Sequence, residues 1–185
     1  MRQTIKYALI LFLITGICVG ILGAVNQITA PIIEVNDKKT EEKAMKQLLP
    51  ASESFEEVSD IEDALVDKVF VAKSGNEIVG YVVRVTPTGY GGDITMLVGV
   101  DSQNIVKGIS ILSHAETPGF GANATKDSFT NQFVDTNAPL TVTKSASLDD
   151  EIQAITGATI TSNAVVEGVN GACEYIINHK EEWGA

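Results

Sequence analysis

The residues of this chain that could do chemistry fall in three short stretches rich in hydroxyls and glycines. The last is Ile155-Thr156-Gly157-Ala158-Thr159-Ile160-Thr161-Ser162-Asn163. From Ala164 onward Val165, Val169, Ala172, Cys173, Ile176 and Ile177 recur at three- and four-residue spacing, as one buried helix face requires. The hydroxyls of Thr156, Thr159, Thr161 and Ser162 therefore stand at a helix N-terminus. There, unpaired backbone N–H groups and the positive dipole end favour a capping oxygen or a phosphate. On these residues alone both readings stay open, an ordinary Ser/Thr cap and an anion site.

The other two stretches lie at predicted strand ends, where sites usually sit. Gly89-Tyr90-Gly91-Gly92-Asp93 has three glycines in five residues. They allow positive φ and close approach of a ligand, with the Tyr90 ring available; a plain glycine-rich turn accounts for them as well. Ser113-His114-Ala115-Glu116-Thr117-Pro118-Gly119-Phe120-Gly121 carries His114 and Glu116, which could form a general acid–base pair. No nucleophile accompanies them, so a hydrolase ranks last among the readings.

The elements around these stretches follow from pattern. No charged residue occurs from Tyr7 to Val25, a run of nineteen mostly apolar residues, about one bilayer-spanning helix. Arg2 and Lys6 precede it and Glu34 and Asp37 follow, which predicts a cytoplasmic N-terminus and an outside C-terminal part. The run is long for a cleaved signal peptide, and Leu22-Gly23-Ala24 makes a poor cleavage site. Thr29-Ala30-Pro31 is expected to break the helix. Asn36 or Asp37 would then cap a second one, a stalk or surface helix stopped by Pro50. Residues 51–64 are acidic and weakly patterned.

Strands are expected at Val69–Ala72, Ile78–Val85, Ile94–Val100 and Ile105–Leu112, with hairpin turns at Ser74-Gly75-Asn76 and Asp101-Ser102-Gln103-Asn104. A helix fits 125–135, with Phe129 and Phe133 on one face, and a short strand fits Leu140–Thr143. The sum is an antiparallel α+β domain behind a transmembrane helix. The predicted division is a cytoplasmic N-terminus (1–6), a transmembrane helix (7–25), a stalk and helical connector (26–64) and the domain (65–185). Net charge is −11, which argues against nucleic acid as a partner. Cys18, in the span, and Cys173, on the last helix, are not expected to pair. No Cys/His cluster suggests a metal.

Taken in order, Gly-Tyr-Gly-Gly at 89–92, His-x-Glu-Thr-Pro-Gly-x-Gly at 114–121 and Thr-Gly-Ala-Thr at 156–159 resemble the recurrent motifs of the FMN-binding domain family. Behind one membrane span they look like the G subunits of Rnf ion-translocating complexes. The resemblance covers roughly residues 67–178. In that family a flavin transferase joins the FMN phosphate to the last Thr of the third motif as a phosphoester; the matching acceptor is Thr159, flanked by Thr156, Gly157, Ala158, Thr161 and Ser162. The resemblance sets Glu116, Thr117 and Phe120 beside the isoalloxazine, in a loop with His114, Pro118, Gly119 and Gly121. Gly91 and Gly92, next to Tyr90, would admit the cofactor closely, and Glu116 would tune it by hydrogen bonding. Where the family motif leads one to expect Asp, three residues before Thr156, this chain has Gln153; Asp149, Asp150 and Glu151 are near but out of register.

The resemblance implies an electron-transfer subunit, without a catalytic site of its own, of an ion-translocating ferredoxin:NAD oxidoreductase in the cytoplasmic (inner) membrane. Its expected partners are the other membrane and peripheral subunits, membrane lipid and the transferase. No glycine-rich strand–turn–helix fingerprint for a nicotinamide nucleotide occurs, so NADH and ferredoxin would fall to other subunits. Three alternatives are the C-type component of a sodium-translocating NADH:quinone reductase, a stand-alone flavinylated carrier outside the cell, and a cofactor-free tethered binding module.

Overall fold

The computed structural model describes residues 2–59, 61, 63–145, 148 and 150–183; Met1 and Asp149 lie outside them. Contacts divide the chain into two units, Met1–Glu41 and Glu42–Ala185.

The first unit is helical from Arg2 on, part of α1 (Arg2–Leu48). Its large apolar side chains from Ile5 to Val35 are exposed, Phe12 to 76%. The helix is long and apolar enough to cross a membrane. Contiguous apolar surface on that scale calls for a lipid or protein cover. The expected break at Thr29-Ala30-Pro31 does not occur, and Asn36 and Asp37 lie inside the helix rather than capping one. Proline removes one ladder bond and leaves its φ helical. Around it Thr29 donates to the Val25 carbonyl (3.0 Å), and Lys38 pairs with Glu34 one turn back (2.8 Å). One missing bond does not end so long a ladder.

The second unit is built on a six-stranded meander: β1 (Ser54–Glu57), β2 (Val66–Ser74), β3 (Glu77–Val85), β4 (Ile94–Asp101), β5 (Ile105–His114) and β6 (Thr136–Asn137), each antiparallel to its neighbour. Alternation along the strands feeds two cores. Val69 and Val71, Tyr81 and Val83, and Met96 and Val98 face α3 (Thr159–His179), which covers them with Val165, Val169, Ala172 and Ile176. Phe70, Ala72, Val82 and Leu97 meet Ala44, Met45, Leu48 and Leu49 on the other face. The expected stalk thus ends in a packed turn. Gly99 and Gly108 pair across β4 and β5, and a Cβ at Gly99 would lie 2.8 Å from the Leu48 Cβ. The glycine pair leaves the furrow that Leu48 fills. With both faces covered, the strands read as nearly unbroken apolar runs.

Two smaller elements differ from expectation. The helix over 125–135 shrinks to one α turn, α2 (Asp127–Thr130), between 3₁₀ turns at Gly121–Thr125 and Asn131–Phe133. Lys126 is extended (φ −81°, ψ 144°), and the short polar side chains there compete with the helix for backbone bonds. Phe129 and Phe133 still share a buried edge-to-face contact at 5.4 Å. The short strand expected before the third motif, β7 (Thr141–Thr143), pairs in parallel with β8 (Glu151–Gln153).

Candidate functional site

Strand pairing brings the first two motifs together. Ile94 opens β4 and faces His114 at the end of β5, so the loops before one and after the other leave the same edge of the sheet. The first is a tight turn: the Gly89 N–H donates to the Gly92 carbonyl at 2.8 Å, and the Thr88 hydroxyl to Asp93 at 3.0 Å. The third motif arrives by a different route. Helix α3 lies across β3 and β4, where Gly168 lets it come close; a Cβ there would sit 2.3 Å from the Met96 methyl. Its N-terminus then reaches the two loops.

Between them is a cleft of about 510 Å³ lined by Tyr90, Glu116, Thr117, Phe120, Gly121, Gly157, Ala158, Thr159, Ile160 and Thr161. That volume is in the range of small-molecule sites. Tyr90 (71% exposed), Phe120 and Ile160 form an uncovered apolar rim. Gly157 has φ +77°, and a Cβ on it would stand 2.9 Å from the Phe120 ring. Any side chain there is strained and collides, which accounts for a glycine at this point of the motif.

The four hydroxyls separate into two kinds. Ser162 is fully buried; it donates to the Ala158 carbonyl (3.0 Å) and accepts from the Ile155 N–H (3.0 Å). Thr161, also buried, donates to a Glu116 carboxylate oxygen at 2.6 Å. Thr156 and Thr159 are exposed, and of these Thr159 lines the cleft. No hydroxyl caps α3: the N-cap position is Ala158, without a side-chain cap bond. The first ladder bond runs from the Ser162 N–H to the Ala158 carbonyl. The N–H groups of Thr159, Ile160 and Thr161 therefore precede it and have no intrahelical acceptor. No acidic residue stands in the first turn to offset the dipole.

Glu116 is 6% exposed, yet one carboxylate oxygen accepts from the Gly91 N–H (2.9 Å) and the other from Thr161. Burial pushes its pKa up. The bonds from Thr161, Gly91 and the Tyr90 N–H outweigh that and hold it below its ordinary value. His114 accepts the Glu116 N–H on Nδ1 (3.2 Å) rather than facing the cleft. Gly91 backs onto Ala115, whose carbonyl a Cβ would meet at 2.3 Å, and Gly92 also turns toward Ala115. Gly91, Gly92, His114, Pro118, Gly119, Thr156 and Ser162 are thus outside the cleft lining. Gly119 (φ +81°) turns the loop and its carbonyl accepts from Asn123 (2.9 Å).

Ile160 lines the cleft without having been singled out. Its position off the buried face of α3 is the signal that could have found it. Gln153 is exposed on β8; its amide donates to the Lys144 carbonyl (3.3 Å), and its backbone N–H donates to the Gln132 side chain (2.8 Å). A carboxylate at that position could not make the first bond. Cys173 is buried, which pushes its thiol up to about 11, and Cys18 is exposed on α1.

Two family models match the chain: the FMN-binding domain over residues 89–174 and the RnfG N-terminal region over residues 1–48. The G component of the proton-translocating ferredoxin:NAD(+) oxidoreductase complex of Clostridium ljungdahlii is 43% identical over 157 residues, 84% of this chain and 82% of the relative. Its counterpart in the Na(+)-translocating ferredoxin:NAD(+) oxidoreductase complex of Acetobacterium woodii is 37% identical, across 91% and 89%. Among solved structures, the C component of the Na(+)-translocating NADH-quinone reductase of Parabacteroides distasonis superposes with a TM-score of 0.51 at 28% identity, covering 60% of each chain.

Proposed function

The chain belongs to the RnfG family, the G components of ion-translocating ferredoxin:NAD(+) oxidoreductase complexes, and on that premise we propose that it relays electrons through one FMN esterified to Thr159. A single observation carries the reading. Of the four hydroxyls Thr156, Thr159, Thr161 and Ser162, that of Thr159 alone is both exposed and part of the cleft wall, and it stands at a helix N-terminus whose first N–H groups lack intrahelical acceptors.

The donor set suits FMN. Backbone N–H groups and the dipole end would hold the phosphate diester, and Tyr90, Phe120 and Ile160 offer apolar surface to the ring system. Bound there, FMN supplies one- and two-electron chemistry. Thr161 and Ser162 are withdrawn from modification by their own bonds, so of the hydroxyls at the start of α3 only that of Thr159 is presented on the cleft wall. The partners in this reading are the remaining membrane and peripheral subunits, with a flavin transferase for maturation.

The apolar part of α1 would cross the cytoplasmic membrane once. Arg2 and Lys6 on its short leading end support a domain on the extracytoplasmic side. Protease applied to right-side-out vesicles should digest the domain; protection there would reverse the orientation. The test of the cofactor is a peptide-level mass spectrum after co-expression with a flavin transferase. One FMN less one water on the peptide holding Thr159 is the expected result. An unmodified Thr159 in folded protein would reject covalent attachment.

A further inference from the structure

We propose that Glu116 and Thr161 are a positioning pair that assembles the cleft, clamping the Gly89–Asp93 turn and the loop after β5 onto the first turn of α3. The inference rests on reading the cleft as the FMN site, and it assigns these two residues work that precedes any cofactor. Glu116 is the only charged residue that is buried among the described residues, and none of the ion pairs found there involves it. A buried carboxylate without a cation is costly unless dipoles satisfy it. Here the Gly91 N–H does so from 25 residues before it and the Thr161 hydroxyl from 45 residues after.

The surroundings are shaped to the carboxylate. A Cβ at Gly89 would lie 2.3 Å from one of its oxygens; a Cβ at Gly121 would lie 2.3 Å from the other and 2.6 Å from the Thr161 hydroxyl. Glycine at 89 and 121 thus makes room for the clamp rather than for a ligand. Thr161 is two residues along α3 from Thr159, so fixing its hydroxyl to the β5 loop fixes the turn that presents Thr159. Both carboxylate oxygens being engaged, Glu116 acts through Thr161 and Gly91, as a positioning residue.

The clamp needs a donor at 161, so Thr161→Ser should keep it, whereas the isosteric Thr161→Val leaves a buried oxygen unpaired. In the full chain without FMN, amide exchange across residues 89–93 should quicken on the order of tenfold in Thr161→Val and stay within about twofold of wild type in Thr161→Ser. Exchange in the second half of α3 should not change, which separates loss of the clamp from misfolding. The initial rate of FMN transfer to Thr159 should fall in Thr161→Val and recover in Thr161→Ser. Wild-type exchange at 89–93 in Thr161→Val would overturn the clamp. Absence of FMN from the wild-type chain would overturn the cofactor reading instead, leaving the exchange series to judge the clamp.

Discussion

The two ends of α3 are finished in opposite ways. At its N-terminus, Thr159 and Ile160 are exposed, three N–H groups lack intrahelical acceptors, and Tyr90 and Phe120 stand uncovered beside a cleft. At its C-terminus the surface is closed by rings. Tyr175 stacks on His179 at 4.1 Å, and Trp183 packs on Tyr81 at 5.5 Å and near Tyr175 at 6.2 Å. The His179 ring also bonds the Tyr175 carbonyl one turn back (2.9 Å). One helix thus has a sealed end that contributes stability and an open end that keeps donors available. The contrast sets the proposed function at the end of α3 where backbone donors stay available.

The sharpest way to break the contrast is Thr159→Ala. Covalent FMN should vanish entirely by mass spectrometry. The melting temperature should barely move, because Thr159 caps nothing and a lost cap would itself cost only about 1 kcal/mol. A large drop in stability would mean that the open end is structural after all. Trp183→Ala should do the reverse, removing about 2 kcal/mol of stability through lost ring packing while FMN incorporation stays at the wild-type level. Loss of incorporation in that variant would join the two ends into one unit.

The smallest effect is pH dependence. Glu116 has a folded pKa below its ordinary value of 4.5. Its contribution to stability is therefore present above about that pH and fades as the pH falls through the lower, folded value. The melting temperature of wild type minus that of Glu116→Gln should thus be constant near neutrality and shrink on acidification below 4.5. A difference that grows on acidification would show that the carboxylate is held protonated in the fold.

Much of this was legible from pattern. The apolar run is legible because lipid selects on composition. Strands β2 to β5 are legible because apolar runs end in Gly and Asn turns. The helical face from Val165 to Ile176 is legible because burial imposes its period. β1 was not, since Ser54–Glu57 is an exposed acidic edge held mainly by pairing with β2. Nor was the helix through Pro31, where the missing bond is outweighed by its neighbours.

By itself the sequence determined the kind of protein: a membrane-length helix, a meander and three glycine- and hydroxyl-rich loops, each set by local composition and period. Tertiary structure alone decided which hydroxyl is available. Thr156, Thr159, Thr161 and Ser162 are chemically alike and close together in the chain. What separates them is contact with groups far away in sequence or hidden under the turn: Glu116 claims Thr161, the turn claims Ser162, and only Thr159 is both exposed and set in the cleft wall. Hydrogen bonds between residues 45 positions apart leave no period and no local bias in the chain, so only the folded structure could assign them.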